Sequence, residues 1–243
     1  MKKLIIKLAK FFIPEGKRFL RRKDILYTHP AEHLWRCTSY IQHHFGTPKG
    51  TILDIGAADG GTAFYFANQF PNCNVLAFEP IPEMAEIAKQ KCSGVSQIQI
   101  INCALSDKEE QIVFHVTKNK LSSSILPFDN ENAGQFLEKE SQLEIQTKTL
   151  DHYTESITHI PLLKIDVQGA ELKVLKGGLN TLKKTQTILI EMNNHQQYQG
   201  GVQYHEMDQF LRENGFRLAD IIVTYRPKGE MSEYDALYVK AKV

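Results

Sequence analysis

Residues 51–62 read TILDIGAADGGT, and this stretch decides the fold. A short apolar run from Thr51 to Ile55 breaks off at Gly56, a glycine-bearing turn follows, and residues 62–70 suit a helix. A buried strand that hands over to a helix through glycines is the opening of a βαβ unit. Moving outward, Pro71 and Asn72 stop the helix and residues 74–78 (NVLAF) read as a second buried strand. Pro82 suits a first helical turn, the helix runs on to Cys92, and Ile98, Ile100 and Ile101 mark a third strand.

The alternation lapses and then returns. Residues 111–117 and 143–149 look like two strands of alternating polarity, separated by a polar, loop-like stretch, 118–140. This predicts a β-insertion after the third strand. Beyond it, residues 161–165 are a strand, 170–182 a helix, 187–190 a strand, and 204–214 a helix closed by Gly215. Residues 216–224 and 236–243 are expected to end the fold as an antiparallel pair at the sheet edge. Strands separated by helices of about ten residues define an α/β fold with a mostly parallel sheet and helices on both faces.

Length and composition agree with one such domain. The chain has 243 residues, 42% of them apolar, enough to build a substantial core. A formal net charge of +1 gives no global field toward nucleic acid. The four cysteines, Cys37, Cys73, Cys92 and Cys103, form no C-x-x-C pair or zinc-spaced set and read as reduced thiols of a cytoplasmic protein. Residues 1–48 precede the alternating pattern, so the expected division is an N-terminal basic, helical segment over 1–48 and the α/β domain over 49–243. Within 1–23, Leu4, Ile5, Leu8, Phe11 and Phe12 form an apolar stripe opposite lysines. Such a helix packs on its own domain or a second subunit, as in a homodimer; contact with an anionic membrane surface is the less favoured reading. Lysines interrupt the run too often for a signal peptide or a spanning helix.

In an open parallel sheet a ligand binds beyond the carboxyl ends of the strands, near the switch in strand order. The first strand end offers Asp54, Gly56, Ala57, Asp59 and Gly60. The second offers Glu79, 23 residues after Gly56, followed by Pro80. A carboxylate at that spacing can accept hydrogen bonds from both ribose hydroxyls of an adenosine cofactor. Past the third strand, Asp107 is placed to meet an adenine amino group, and a helix-capping role for Ser106 or Asp107 is equally compatible with the local chemistry. A dinucleotide turn requires G-x-G-x-x-G beneath a pyrophosphate. Here Ala58 replaces the second glycine and Asp59 brings a negative charge, which disfavours pyrophosphate and suits a cationic sulfonium.

The ordered motifs DIGAADGGT (54–62), FEPIP (78–82), ALSD (104–107), TLD (149–151) and KIDVQGAE (164–171) resemble the FkbM methyltransferases. VLKG (174–177), IE (190–191), GF (215–216) and DALY (235–238) extend the resemblance to most of the chain after residue 51. One departure is Ala58, where many members carry asparagine. The resemblance implies a class I methyltransferase, Rossmann-like fold with a seven-stranded sheet. It further implies S-adenosylmethionine as donor and an oxygen of a sugar or natural product as acceptor, a small carbohydrate or glycoconjugate molecule.

For a hydroxyl acceptor a general base is needed, because an alcohol is a poor nucleophile until its proton leaves. Asp166 ends the fourth strand at the floor of the crevice, placed to orient the methionine portion, to bind the acceptor or to act as the base. Glu191 and His195 end the fifth, and His195 titrates nearest neutral pH. These three residues could also hold a divalent ion, though without a tight ligand motif that reading is not favoured. An NAD-linked oxidoreductase and a non-catalytic adenosyl-binding scaffold are the alternative readings of the same turn.

Overall fold

The computed structural model describes residues 32–128, 139–194, 197–225 and 231–241. A seven-stranded sheet organises it. In chain order the elements are α1 (Glu32–Phe45), β1 (Gly50–Ile55), α2 (Gly61–Gln69), β2 (Cys73–Phe78), α3 (Pro82–Cys92) and β3 (Ile98–Ile101). Then come β4 (Ala104–Leu105), β5 (Gln111–Thr117), β6 (Lys139–Lys148), α4 (Leu150–Thr154), β7 (Ile160–Ile165), α5 (Glu171–Lys176) and α6 (Leu179–Lys184). Last are β8 (Thr185–Asn193), α7 (Tyr204–Glu213), β9 (Phe216–Tyr225) and β10 (Glu233–Lys240).

Strand order is β3-β2-β1-β7-β8-β10-β9, with β10 antiparallel to both neighbours and the first five strands parallel. The chain leaves β1 toward β3, then returns to build β7 on the other side of β1. The switch point therefore lies between β1 and β7, where a crevice opens above the strand ends.

Side-chain parity separates two cores. Leu53, Ile55, Leu163, Ile165, Ile188, Ile190, Ala236 and Tyr238 face one side, against Leu150, Val174, Leu175, Leu182, Met207 and Leu211 of α4 to α7. Ile52, Leu162, Leu189 and Leu237 face the other, against Leu34, Cys37 and Ile41 of α1 and Ala63, Phe66 and Ala67 of α2. Burying each such aliphatic side chain contributes roughly 1.5–3 kcal/mol, so both faces of the central strands must be covered. This explains their unbroken apolar runs. Helix α1 is anchored further by Arg36, whose Nε and Nη2 donate to Asp220 of β9 at 3.0 and 2.6 Å.

Three local features depart from expectation. The helix expected over 170–182 is two short helices, α5 and α6, divided at Gly177 and Gly178. A Cβ on Gly177 would stand 2.1 Å from the Ser106 carbonyl, so the chain crosses another segment too closely for an unbroken helix. The insertion is a small separate sheet, β4-β6-β5, and β6 starts four residues earlier than the apolar pattern indicated, at Lys139. No helix follows Ser106 and Asp107, so neither is a helix cap; the Ser106 hydroxyl donates to Asp107 Oδ1 at 3.0 Å. The segment 1–23 lies outside the described residues. Among those described, no helix is long and apolar enough to cross a membrane.

Candidate active site

A cavity of about 790 Å³ occupies the switch point. That size accommodates a cofactor together with a small acceptor. Its first wall is the turn after β1. The backbone N–H groups of Gly56 and Ala57 both donate to the Phe78 carbonyl, at 3.0 and 2.9 Å, folding the turn over the end of β2. Gly56 has φ 80°, and a Cβ there would lie 1.8 Å from the Asp166 carbonyl, so only glycine lets β1 and β7 close together. Ala58 also lies in the left-handed region, at φ 48°, and its N–H donates to Glu79 Oε2 at 2.9 Å.

Glu79 Oε1 accepts from the Ile81 N–H, also at 2.9 Å. The two bonds aim the carboxylate into the cavity and leave lone pairs for further donors. Burial pushes Glu79 up to about 7, the two N–H groups opposing only part of the effect. Asn102 donates to the Glu79 and Pro80 carbonyls at 2.8 and 2.9 Å and so holds the β2 end in place.

Of the residues singled out from sequence, Gly56, Glu79, Pro80, Asp166 and Glu191 line the cavity. The others lie behind it or beside it. Asp59 accepts from the Gly61 N–H at 3.0 Å and pairs with Lys91 of α3, away from the cavity wall. Gly60, at φ 78°, packs against Ala88 and Cys92. Ala57 and Ser106 are buried, and Asp107 is exposed. His195 lies outside the described residues.

Asp54 is fully buried beneath the turn, and neither carboxylate oxygen has a hydrogen-bond partner. Its compensation is Lys164 of β7, which sequence reading passed over. The Lys164 ammonium donates to the Gly56 carbonyl at 2.9 Å and stands 3.5 Å from both Asp54 and Asp166. Burial alone would pull this ammonium down, but Asp166, Asp54, Asp235 and Glu191 together outweigh it and keep the lysine charged. Burial raises Asp54 to about 6, with Lys164 limiting the rise.

At the far end, Asp166 and Glu191 converge on the amide of Gln168, whose nitrogen is 2.8 Å from each. Burial, then the neighbouring Asp166, Glu233 and Glu171, hold Glu191 well above the usual carboxylate range. Glu171 of α5 is buried. Its Oε1 accepts from the N–H groups of Val167 and Gly169 at 3.0 and 3.1 Å and fixes the loop that carries Gln168. Thr224 Oγ1, buried and without a partner, faces the cavity at this end, beside Gln197, Ser232 and Glu233. The insertion roofs the cavity near the end of β2, where Phe114 and Val116 of β5 pack on Ile81. Among the described residues no cluster of three or more His, Cys, Asp or Glu is arranged to hold a metal ion.

The mostly parallel seven-stranded sheet, with a glycine turn and the buried acid Glu79 at its switch point, has the fold of a class I methyltransferase. The methyltransferase FkbM domain matches residues 54–218, and the chain belongs to that family. It is 31% identical over 186 residues to the 2-O-methyltransferase NoeI of Sinorhizobium fredii, covering 70% of this chain and 76% of that protein. It is also 26% identical to the methyltransferase sdnD of Sordaria araneosa, over 52% of this chain and 59% of that one. In fold it resembles magnesium protoporphyrin IX methyltransferase (ChlM) of Synechocystis PCC 6803, whose structure contains S-adenosylmethionine. The TM-score is 0.51 at 11% identity, covering 98% of this chain and 91% of that one. The methyl donor is S-adenosylmethionine, and the oxidoreductase and scaffold readings fall away.

Proposed function

We propose that the protein transfers a methyl group from S-adenosylmethionine to a hydroxyl oxygen of a small carbohydrate or natural-product acceptor. The observation that carries this reading is the pair of carboxylates, Asp166 and Glu191, at the acceptor end of the cavity. The likeness to NoeI, named a 2-O-methyltransferase, supports the choice of oxygen.

The residues present fit the donor. Glu79 offers free lone pairs to the two ribose hydroxyls, Pro80 borders the ribose, and Gly56 brings backbone close to it. Ser106 and Asp107 flank the adenine side. Asp54 lies beneath the turn against Lys164 and Asp59 is paired with Lys91, so neither carboxylate presents a free charge to the donor. When bound there, the donor would supply an electrophilic methyl carbon to the acceptor oxygen, with the sulfur as leaving group.

The protein aligns that oxygen and removes its proton. Asp166 and Glu191 accept the proton at a carboxylate oxygen, and the elevated proton affinity of Glu191 suits a base working near neutral pH. Thr224, Gln197 and Ser232 supply hydrogen bonds for neighbouring hydroxyls. Work in the cytoplasm on a small molecule, without nucleic acid, completes this reading. The membrane-surface and second-subunit readings of residues 1–23 concern residues outside those described.

Glu191→Gln tests the assignment. Loss of a positioned base lowers kcat by roughly 10²–10⁴-fold, while calorimetric binding of S-adenosylmethionine is expected to stay within about threefold of the parent, since Glu191 lies off the adenosine end. Undiminished turnover in Glu191→Gln, coupled with its loss in His195→Ala, would move the proton to His195.

A further inference from the structure

Gln168 has φ 58°, a conformation that a side chain of its kind rarely adopts, and the surroundings over-determine it. Its amide nitrogen donates to Asp166 Oδ1 and to Glu191 Oε2, each at 2.8 Å. Its Oε1 accepts from the Tyr198 hydroxyl at 2.9 Å, and its backbone carbonyl accepts from Ser124 Oγ at 2.7 Å. The Tyr198 hydroxyl shares its one proton with the Ser122 carbonyl, also at 2.9 Å. The Tyr198 ring lies against Gly169, where a Cβ would come within 2.9 Å of it.

The chemistry admits one orientation of this amide. A phenol offers its proton to an acceptor, so the amide carbonyl faces Tyr198 and the NH₂ faces Asp166 and Glu191. Two hydrogens meet two carboxylates. Without them, like charges drawn to one point would repel and splay apart.

Resting on the hydroxyl-acceptor reading above, we propose that Gln168 is a positioning residue that ties Asp166 and Glu191 into a single proton-accepting pair and links that pair to the β5–β6 insertion through Tyr198 and Ser124. The insertion thereby does two jobs. It roofs the cavity near the end of β2 through Phe114, and through Ser122 and Ser124 it braces the base. The titratable groups around the pair are Lys164 of β7, Glu171 of α5, Tyr198 after β8, Glu233 and Asp235 of β10, and His33 of α1. None of these donates to both carboxylates among the described residues, so Gln168 alone joins them.

The test uses the ligand-free full-length protein, so it needs no knowledge of the acceptor. The side-chain carboxyl carbons are labelled with ¹³C and titrated by NMR, with Asp166 and Glu191 assigned from Asp166→Asn and Glu191→Gln. Gln168→Met keeps the length of the side chain and removes both donors. Losing two hydrogen bonds that favour the charged forms is expected to raise the apparent titration of the pair by about one pH unit. Tyr198→Phe, which frees the amide to turn, is expected to give a smaller rise and serves if Gln168→Met does not fold. Calorimetric affinity for S-adenosylmethionine should stay within about threefold in both, as these contacts lie off the ribose end. Titrations that coincide with the parent in both variants would overturn the inference, as would a loss of donor binding with no shift in titration. The outcome is separable from that of Glu191→Gln turnover: an unmoved titration removes Gln168 from the base, whereas undiminished turnover removes the base itself.

Discussion

Replacing Lys164 by methionine removes the one cation that, among the described residues, stands against Asp54 and Asp166. Two contributions are lost. The first is the charged hydrogen bond to the Gly56 carbonyl, worth about 1.5–3 kcal/mol and independent of pH in the neutral range. The second is linkage. Asp54 titrates near 3.9 in an unfolded chain but at about 6 in the folded protein. Because its folded value is raised, the folded state binds the extra proton between these limits, and stability falls as pH rises from about 4 to about 6.

In the parent that loss stops near pH 6, where the folded carboxyl ionises beside Lys164. In Lys164→Met it does not stop, because ionising a fully buried, partnerless carboxylate is worse than keeping the proton. The variant should therefore lose a further ~1.4 kcal/mol per pH unit above pH 6, or about 1.4 kcal/mol at pH 7 and nearly 3 at pH 8 from this source. Urea unfolding of both proteins at pH 5.5, 7 and 8, read by circular dichroism, measures the difference. A gap between parent and variant that widens with pH is expected. A gap that is constant from pH 5.5 to 8 would show that Asp54 is not held by Lys164 and would refute the linkage.

Three further outcomes follow from the donor end. On the proposed donor pose both Glu79 oxygens accept from ribose hydroxyls, which favours the ionised form; as burial raises Glu79 to about 7 in the ligand-free protein, affinity for S-adenosylmethionine should weaken as pH falls below 7, by up to about tenfold per unit. Calorimetry across pH 5.5–8 would show this, and Glu79→Gln should bind about 10–100-fold more weakly at pH 8 with the dependence gone. Asp59→Asn loses an exposed pair with Lys91, and its donor affinity should stay within about twofold, because that carboxylate faces α3 rather than the cavity. Ala58→Gly relieves a left-handed alanine and should raise stability by up to about 1 kcal/mol, measurable as a higher Tm; a lower Tm would mean the turn is unstrained.

What could be read in advance was whatever depends on near neighbours or fixed spacing. Gly56 and Glu79 were legible because a strand end and the acid at the end of the next strand are set by the geometry of one βαβ unit. The insertion was legible because its polarity alternates where the flanking strands are uniformly apolar. Contacts between distant segments were not. Lys164 looks like an ordinary lysine until β7 pairs with β1 and places it between Asp54 and Asp166. Asp59 carried the right charge for a sulfonium site, but Lys91 of α3, beyond the next strand, engages it. The break at Gly177 arises from the approach of Ser106, 71 residues earlier in the chain. Gln168 was visible only as a letter in a motif, and its role emerges when β8 and the residues after it bring Glu191 and Tyr198 alongside.

The most direct measurement is the fate of the methyl group itself. S-adenosylmethionine carrying a ¹³C-methyl is incubated with the protein and a panel of neutral glycosides, amino sugars and carboxylated sugars, and the products are read by NMR. An O-methyl ether on a hydroxylated acceptor, formed by the parent and lost in Glu191→Gln, is the expected result. Methyl appearing only on nitrogen or as an ester, at equal rates in both proteins, would contradict the assignment of Asp166 and Glu191 as the base for a hydroxyl acceptor.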